Sequence, residues 1–262
     1  MKQNKLVKKL SVLLKQINAR EYLHHFGPKK YKFREHVFAL LVKEICQMSL
    51  RRVKNFLDLL EVKCPTYSAL CKSRKRISFA VWEKLLKLTA GLSSGNVAID
   101  ASGFSQSNAS FHYMNRVGMK IPTRKFNKLS IAFDVKTKKV LALKARVRPR
   151  HDTLDVKTLM KNCEIKTLYA DTAYDAEWIH ESCFWKKVQA MIKPRKNVKK
   201  GFFRRKQMKN YDEKEYHLRS LVESGFGSLK RKYGGSIKAR KQDGIKSELY
   251  LKAISHNLNL MS

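Results

Sequence analysis

An acid held among a phenol, a guanidinium and an ammonium suits chemistry on a phosphate. Tyr216, Arg219, Glu223 and Lys230 supply that combination within one short stretch of this sequence. At about 100° per residue of helix, the four fall within an arc of roughly 60°. Leu218, Leu221, Val222 and Leu229 lie opposite and offer a packing face. Asp212, three residues before Glu215, marks the start of the helix as an Asp-headed variant of the capping box. A solvated face with an ordinary i,i+4 pair, Arg219 with Glu223, would leave the same pattern. The choice between the two readings depends on acids elsewhere in the chain.

Two aspartates close apolar runs upstream. Residues 96–102, NVAIDAS, read as a strand carrying Asp100 near its end, and the run 165–170 leads directly to Asp171. Singly, each could be a turn residue at a strand end. Together with Glu223 they form a set, because a central sheet would bring the two aspartates together and a helix would deliver the third acid. Three converging carboxylates repel one another, and their natural use is to hold two divalent ions. Hard oxygen ligands favour Mg²⁺ or Mn²⁺. Two such ions roughly 4 Å apart clamp a phosphodiester, one activating a water or 3′-hydroxyl and the other stabilising the leaving oxygen.

The elements that must position these acids follow from periodicity. Apolar residues recur at helical spacing over 1–20, 35–48 and 50–60, so residues 1–95 are expected to be all-helical. Within that region Pro65 and Thr66 start a helix, with Leu70, Cys71 and Ile77 facing inward and Arg74, Lys75 and Arg76 outward. It is either a helix-turn-helix recognition helix or a basic surface helix. Gly91, Ser93, Ser94 and Gly95 form a boundary, and residues 96–262 are expected to be an α/β domain. Residues 103–127 read as a long excursion, and 128–135, 136–139 and 140–148 as a β-hairpin. A helix over 152–160 follows, with Asp152 as its N-cap or an outer group of the site. Then come the strand ending at Asp171, a helix over 175–187 and a buried strand over 188–194. Trp178 and Trp185 on that helix are expected in the core. Gly225 and Gly227, just past Glu223, are expected to allow close approach of DNA or another backbone, or else to mark a kink. A last helix runs from Ser247 to about Leu260.

The charge names the partner. With 57 basic against 21 acidic residues, the net charge is +36, a field that repels itself unless a polyanion is near. Residues 193–210 concentrate it, with nine basic residues, no acids and two phenylalanines, and read as a flexible or backbone-gripping arm in which Arg204 and Arg205 meet DNA. The five cysteines are odd in number, form no CxxC pair and read as small buried hydrophobes in a reducing compartment. The most apolar run, 37–42, is far too short to span a membrane. A soluble, cytoplasmic, nucleoid-associated protein with no membrane partner is expected.

These motifs resemble the DDE transposases of prokaryotic insertion sequences, in the group with a Tyr-x2-Arg-x3-Glu-x6-Lys pattern around the final acid. Tyr216, Arg219, Glu223 and Lys230 match all four positions and all three spacings. AIDASGF is similar to that family's first-acid strand, ADTAYD to its second-acid motif and KLSIAFDVKTKKVLAL to its hairpin. The resemblance covers residues 96–262 well and the N-terminal region more loosely. It implies an RNase H-like mixed sheet flanked by helices, with Asp100, Asp171 and Glu223 as ligands of two Mg²⁺ or Mn²⁺ ions. It implies that Tyr216, Arg219 and Lys230 contact double-stranded DNA at the transposon terminal repeats, that target DNA is a second partner, and that the DNA-bound form is a homodimer. It further implies end cleavage followed by transfer of the 3′-hydroxyl into the target. The rivals are a metal-dependent nuclease of the same fold without strand transfer and a DNA-binding remnant without chemistry. An RNA-binding protein fits less well, since no aromatic-rich platform for single strands is evident.

Overall fold

Capping residues and apolar periodicity place the elements close to where the sequence puts them. A computed structural model describes residues 3–24, 29–106, 116, 118, 126–148, 150–196 and 200–261. Five helices come first: α1 (Gln3–Gln16), α2 (Phe33–Ile45), α3 (Leu50–Leu59), α4 (Tyr67–Arg76) and α5 (Phe79–Ala90). Strands β1 (Asn96–Gln106), β2 (Phe126–Asp134) and β3 (Val140–Arg146) follow, then α6 (Val156–Lys161), β4 (Thr167–Ala170), α7 (Glu177–Trp185) and β5 (Gln189–Ile192). The chain ends with α8 (Phe202–Met208), α9 (Glu213–Tyr216), α10 (Ser220–Tyr233), β6 (Ser236–Ile237) and α11 (Gln242–Leu260). No helix of the described residues is long and apolar enough to cross a membrane. The chain divides into two compact units, one of Met1–Thr89, Ser105–Lys125 and Leu229–Ser262, the other of Ala90–Phe104 and Phe126–Ser228.

In the first unit α2 is the centre. Its residues from Val37 to Val42 are all buried, as befits a helix that is apolar all round, and α1, α3, α4 and α11 pack on it. Thr66 caps α4 by accepting from the Ala69 N–H at 3.3 Å, so the helix starts where the sequence indicates. Its facing differs from expectation. Lys75 and Arg76 are exposed, but Arg74 is 8 % exposed and bonds Glu248 of α11 at 3.5 Å. Glu248 is the reason. Its carboxylate, 1 % exposed, also meets Lys43 at 3.3 Å and accepts the backbone N–H groups of Lys238 and Ala239 at 3.0 Å each. Lys43 bonds Glu44 at 2.5 Å and Lys252 meets Glu44 at 3.6 Å, which completes a buried network. Burial would raise the Glu248 acid, yet Lys43, the Lys238 N–H, Lys252 and Arg74 hold it below its ordinary value. Burial dominates at Glu44 and pushes its carboxyl up.

The second unit holds a mixed sheet in the order β3-β2-β1-β4-β5, with β4 parallel to β1 and to β5 and the β2–β3 hairpin antiparallel. This is the RNase H-like sheet flanked by helices that the resemblance implies. Asp134, fully buried, accepts from the Lys136 and Thr137 N–H groups in the hairpin turn and from Ser94 N–H and Oγ at the start of β1. On one face, Val97, Ile99, Ala132, Leu168, Ala170 and Ile192 pack against Val156 and Leu159 of α6 and Ile179 and Cys183 of α7. In the first unit β1 continues four residues past its expected end, because Ser105 and Gln106 pair in parallel with Ser236 and Ile237 of β6. The remainder of the excursion to residue 125 lies outside the described residues except for 116 and 118.

Three local expectations change in the second unit. Asp152 does not cap a helix; a 3₁₀ turn, Asp152–Asp155, precedes α6, and Asp152 pairs with the buried Lys128. Trp185 is not a core residue but 70 % exposed, while Trp178 does pack against the core. Over its described residues 200–210 the basic segment is not a loose arm. Its helix α8 lies on the edge strand β5, where Gln207 donates to the Val188 carbonyl and accepts the Ala190 N–H, both at 3.0 Å. That side chain satisfies the edge as a neighbouring strand would. Arg204 faces inward, 8 % exposed, and bonds Asp175 at 2.6 Å; Arg205 is exposed. Burial would raise Asp175, but the Arg195 N–H, Arg204 and His180 hold its carboxyl low. The cysteines are all free, but only Cys64 and Cys183 are the buried hydrophobes expected; Cys71 and Cys163 are half-buried and Cys46 is exposed.

Candidate catalytic site

Strand register brings the two aspartates side by side. β1 and β4 run parallel with Ile99 opposite Ala170, the last registered pair between them. Asp100 and Asp171 each follow by one residue, Asp171 just past the carboxyl end of β4 and Asp100 beside it within β1, where the ladder between the two strands, about 4.8 Å apart, stops. That end of an open α/β sheet is where ligands bind. Side chains alternate along a strand, and Ile99 and Ala170 point into the core under α6 and α7. Asp100 and Asp171 therefore belong to the opposite face.

The opposite face is where α10 packs. Gly225 of α10 lies against Phe133 of β2 so closely that an added Cβ would meet the ring at 2.7 Å. The close approach foreseen for Gly225 is thus to an aromatic ring, and nothing crowds a Cβ at Gly227. Gly225→Ala is expected to cost about 1–3 kcal/mol through overpacking, and Gly227→Ala to gain up to ~1 kcal/mol of helix propensity. Urea denaturation of the two variants checks both signs.

Asp212 starts the final segment, accepting from the Lys214 N–H at 2.8 Å as an N-cap. The helix it starts is short. Residues His217–Arg219 form a 3₁₀ turn before α10 begins, so the motif does not lie on one continuous α-helix. Residues 213–219 pack against β4 and β5. Tyr216 is 7 % exposed, with Lys193 and Arg219 each 5.9 Å from its ring centre. Arg219 bonds Glu223 at 2.7 Å, the i,i+4 pair that the sequence allows. Lys230, further along α10, is half-buried and belongs to the other unit.

The three acids share one electrostatic neighbourhood. Burial raises the Asp100 carboxyl, and Glu223 and Asp171 raise it further, against the Ala101 N–H and Arg219. Arg219 is held high by Glu223, Tyr216 and Asp171, against its partial burial. The phenol of Tyr174, fully buried, is pushed up by burial and then by Asp100, Asp155 and Asp171. The three acids do not share a coordination shell. Among the described residues no three His, Cys, Asp or Glu side chains are gathered closely enough to hold a metal ion. Two of them have other engagements: Asp171 accepts the N–H of its neighbour Thr172 at 2.7 Å, and Glu223 holds Arg219. The donor set suits a divalent ion, being three hard carboxylates of which one is raised by the other two.

Sequence reasoning placed the acids but missed what surrounds them. Arg204 pairs with the buried Asp175, which also bonds His180 of α7, and its place in a basic stretch gave no signal of that burial. Comparison with known proteins adds a family. Residues 94–258, well over half of the chain, match the family model described as a transposase DDE domain. Among solved structures, the chain is similar to the Mos1 transposase paired-end complex with left transposon end, at 11% identity over 80% of this chain and 81% of that one, with a TM-score of 0.27. It is also similar to the Mos1 strand transfer complex, at 11% identity over 91% of this chain and 78% of that one, with a TM-score of 0.31.

Proposed function

The chain belongs to the transposase DDE domain family of DNA-cleaving phosphoryl-transfer enzymes, and from that premise we propose that it is the transposase of an insertion sequence. It hydrolyses phosphodiesters at the element's ends and joins the exposed 3′-hydroxyl to target DNA. The observation that carries this reading is the parallel register of β1 and β4, which sets Asp100 beside Asp171 where their ladder stops, within the field of Glu223. Asp100, Asp171 and Glu223 would hold two divalent ions, Mg²⁺ or Mn²⁺. Bound there, such ions supply Lewis-acid stabilisation of the phosphoryl oxygens and an activated water or 3′-hydroxyl.

The chain's own residues do the rest. Arg219, which pairs with Glu223, would give its guanidinium to a phosphate oxygen of the DNA where that carboxylate serves as a metal ligand. Tyr216 supports Arg219 through its ring, and Lys230 meets a flanking phosphate. Exposed Lys75, Arg76 and Arg205 hold the DNA backbone and fix register without reading sequence. Arg74 and Arg204 are committed to buried carboxylates and have a structural part instead. A dimer acts on the two ends of one element.

Arg219→Ala is expected to weaken duplex binding and to lower the slope of log K against log salt by about one unit, the share of a single phosphate. Fluorescence anisotropy at several salt concentrations measures it. The function itself is tested by incubating the protein, Mg²⁺, a duplex carrying the element end and a plasmid target. Joined products support transposition. Nicks without joining support the nuclease reading, and intact DNA supports a binding remnant.

A further inference from the structure

The exposed aromatic cluster at the end of α7 has no part in the site above. Trp185 is 70 % and Phe202 56 % exposed, whereas most other large aromatics among the described residues are covered. Their neighbours Phe184 and Phe203 complete a continuous surface of rings: Phe184 to Trp185 at 5.4 Å, Phe184 to Phe203 at 5.4 Å and Phe202 to Phe203 at 5.2 Å between centroids. Beside it opens a groove of about 710 Å³ within the second unit, which Phe184 and Trp185 line. Lys166, Lys187, Lys206 and Lys209 line it too, and no acidic residue does. The Lys206 ammonium stands 4.8 Å from the Phe184 ring centre and 4.6 Å from that of Phe202. The platform for unpaired bases that the sequence does not display is thus assembled from α7 and α8, seventeen residues apart in the chain at Trp185 and Phe202.

We infer that this groove binds single-stranded DNA. Bases stack on the exposed rings of Trp185 and Phe202, which accept any base, and the four lysines neutralise the phosphates along the strand. A second copy of this chain fits less well, because two such faces would set eight lysines against one another with no acid between them. A duplex fits less well too, since its bases are already stacked and present only their edges. The choice of DNA over RNA rests on the family reading; the stacking and the charge do not.

The test uses the full chain in EDTA, so that nothing is cut, with a labelled oligothymidylate of about 16 nucleotides. Each stacked base is worth about 5- to 150-fold in affinity. Trp185→Ala should lose that much for the single strand, leave duplex binding within about twofold, and leave the melting temperature unchanged. Trp185→Phe, which keeps a ring, should recover most of the loss, and Lys206→Ala should lower the salt slope by about 0.7. If Trp185→Ala melts early, the exposed pair Lys187→Glu with Lys209→Glu replaces it and should weaken strand binding in the same way. Unchanged single-strand affinity in these variants overturns the inference. So does tighter binding of oligouridylate, or a wild-type dimer in sedimentation that Trp185→Ala disperses while strand binding persists. Cleavage of an element-end duplex in Mg²⁺ by the same preparations reports separately on the catalytic reading. Cleavage without groove-dependent strand binding rejects this inference alone, and strand binding without cleavage rejects the catalytic reading alone.

Discussion

Asp100→Asn, Asp171→Asn and Glu223→Gln are each expected to lose DNA cleavage by about 10³-fold or more, and Asp100→Asn is expected to melt at a higher temperature than the parent. The loss follows from the several kcal/mol that metal-held charge supplies in phosphoryl transfer, at 1.36 kcal/mol for each tenfold. Duplex affinity stays near the parent value, because carboxylates do not hold phosphates. The gain in stability has a separate cause. Asp100 is part-buried and stands in the repulsive field of two other carboxylates, so removing its charge relieves a cost that the folded state carries for function. Gel assays of nicking and thermal unfolding on the same samples read both effects. A fall in melting temperature together with full cleavage would leave Asp100 an ordinary structural residue.

Glu248→Ala is expected to lose about 3–5 kcal/mol, the cost of breaking a buried ion network from one side. Lys43 and Arg74 would remain buried without their shared carboxylate, and the Lys238 and Ala239 N–H groups would lose their acceptor. For a domain with 5–15 kcal/mol of total stability, that is a large fraction. The pH dependence has a definite sign. The folded carboxyl titrates below its ordinary 4.5, so its contribution is complete above that pH and fades as the pH falls through the folded value. The gap between parent and variant in urea denaturation should therefore be widest near neutrality and shrink below about pH 4.5. Glu44 works in the other sense. Burial holds its carboxyl above 4.5, so it costs stability as the pH rises past that point.

How much of this was legible in the sequence depended on the period of each signal. The two aspartates stood at the ends of apolar runs, and the strands that carry them formed with adjacent registers, so Asp100 and Asp171 could be placed without any coordinate. The Asp212 cap was equally local, since it bonds two residues ahead. Arg74 and Arg204 were misjudged because facing inward depends on a partner far along the chain. Glu248 is 174 residues from Arg74, and Asp175 is 29 from Arg204. No helical period encodes such a partner. Trp185 failed in the opposite way. Its spacing from Trp178 suggested a shared core face, but it is the last residue of α7, where the helix has run past the sheet that it covers. The 3₁₀ turn at 217–219 is a similar case, since it breaks a face that residue spacing alone makes continuous.

The most direct measurement is the anomalous scattering of Mn²⁺ in crystals of the full chain bound to an element-end duplex. The account predicts manganese peaks with oxygens of Asp100, Asp171 and Glu223 as ligands, and Arg219 moved from Glu223 to a DNA phosphate. Peaks elsewhere on the chain, with Glu223 still paired to Arg219 and the two aspartates free of metal, would contradict it.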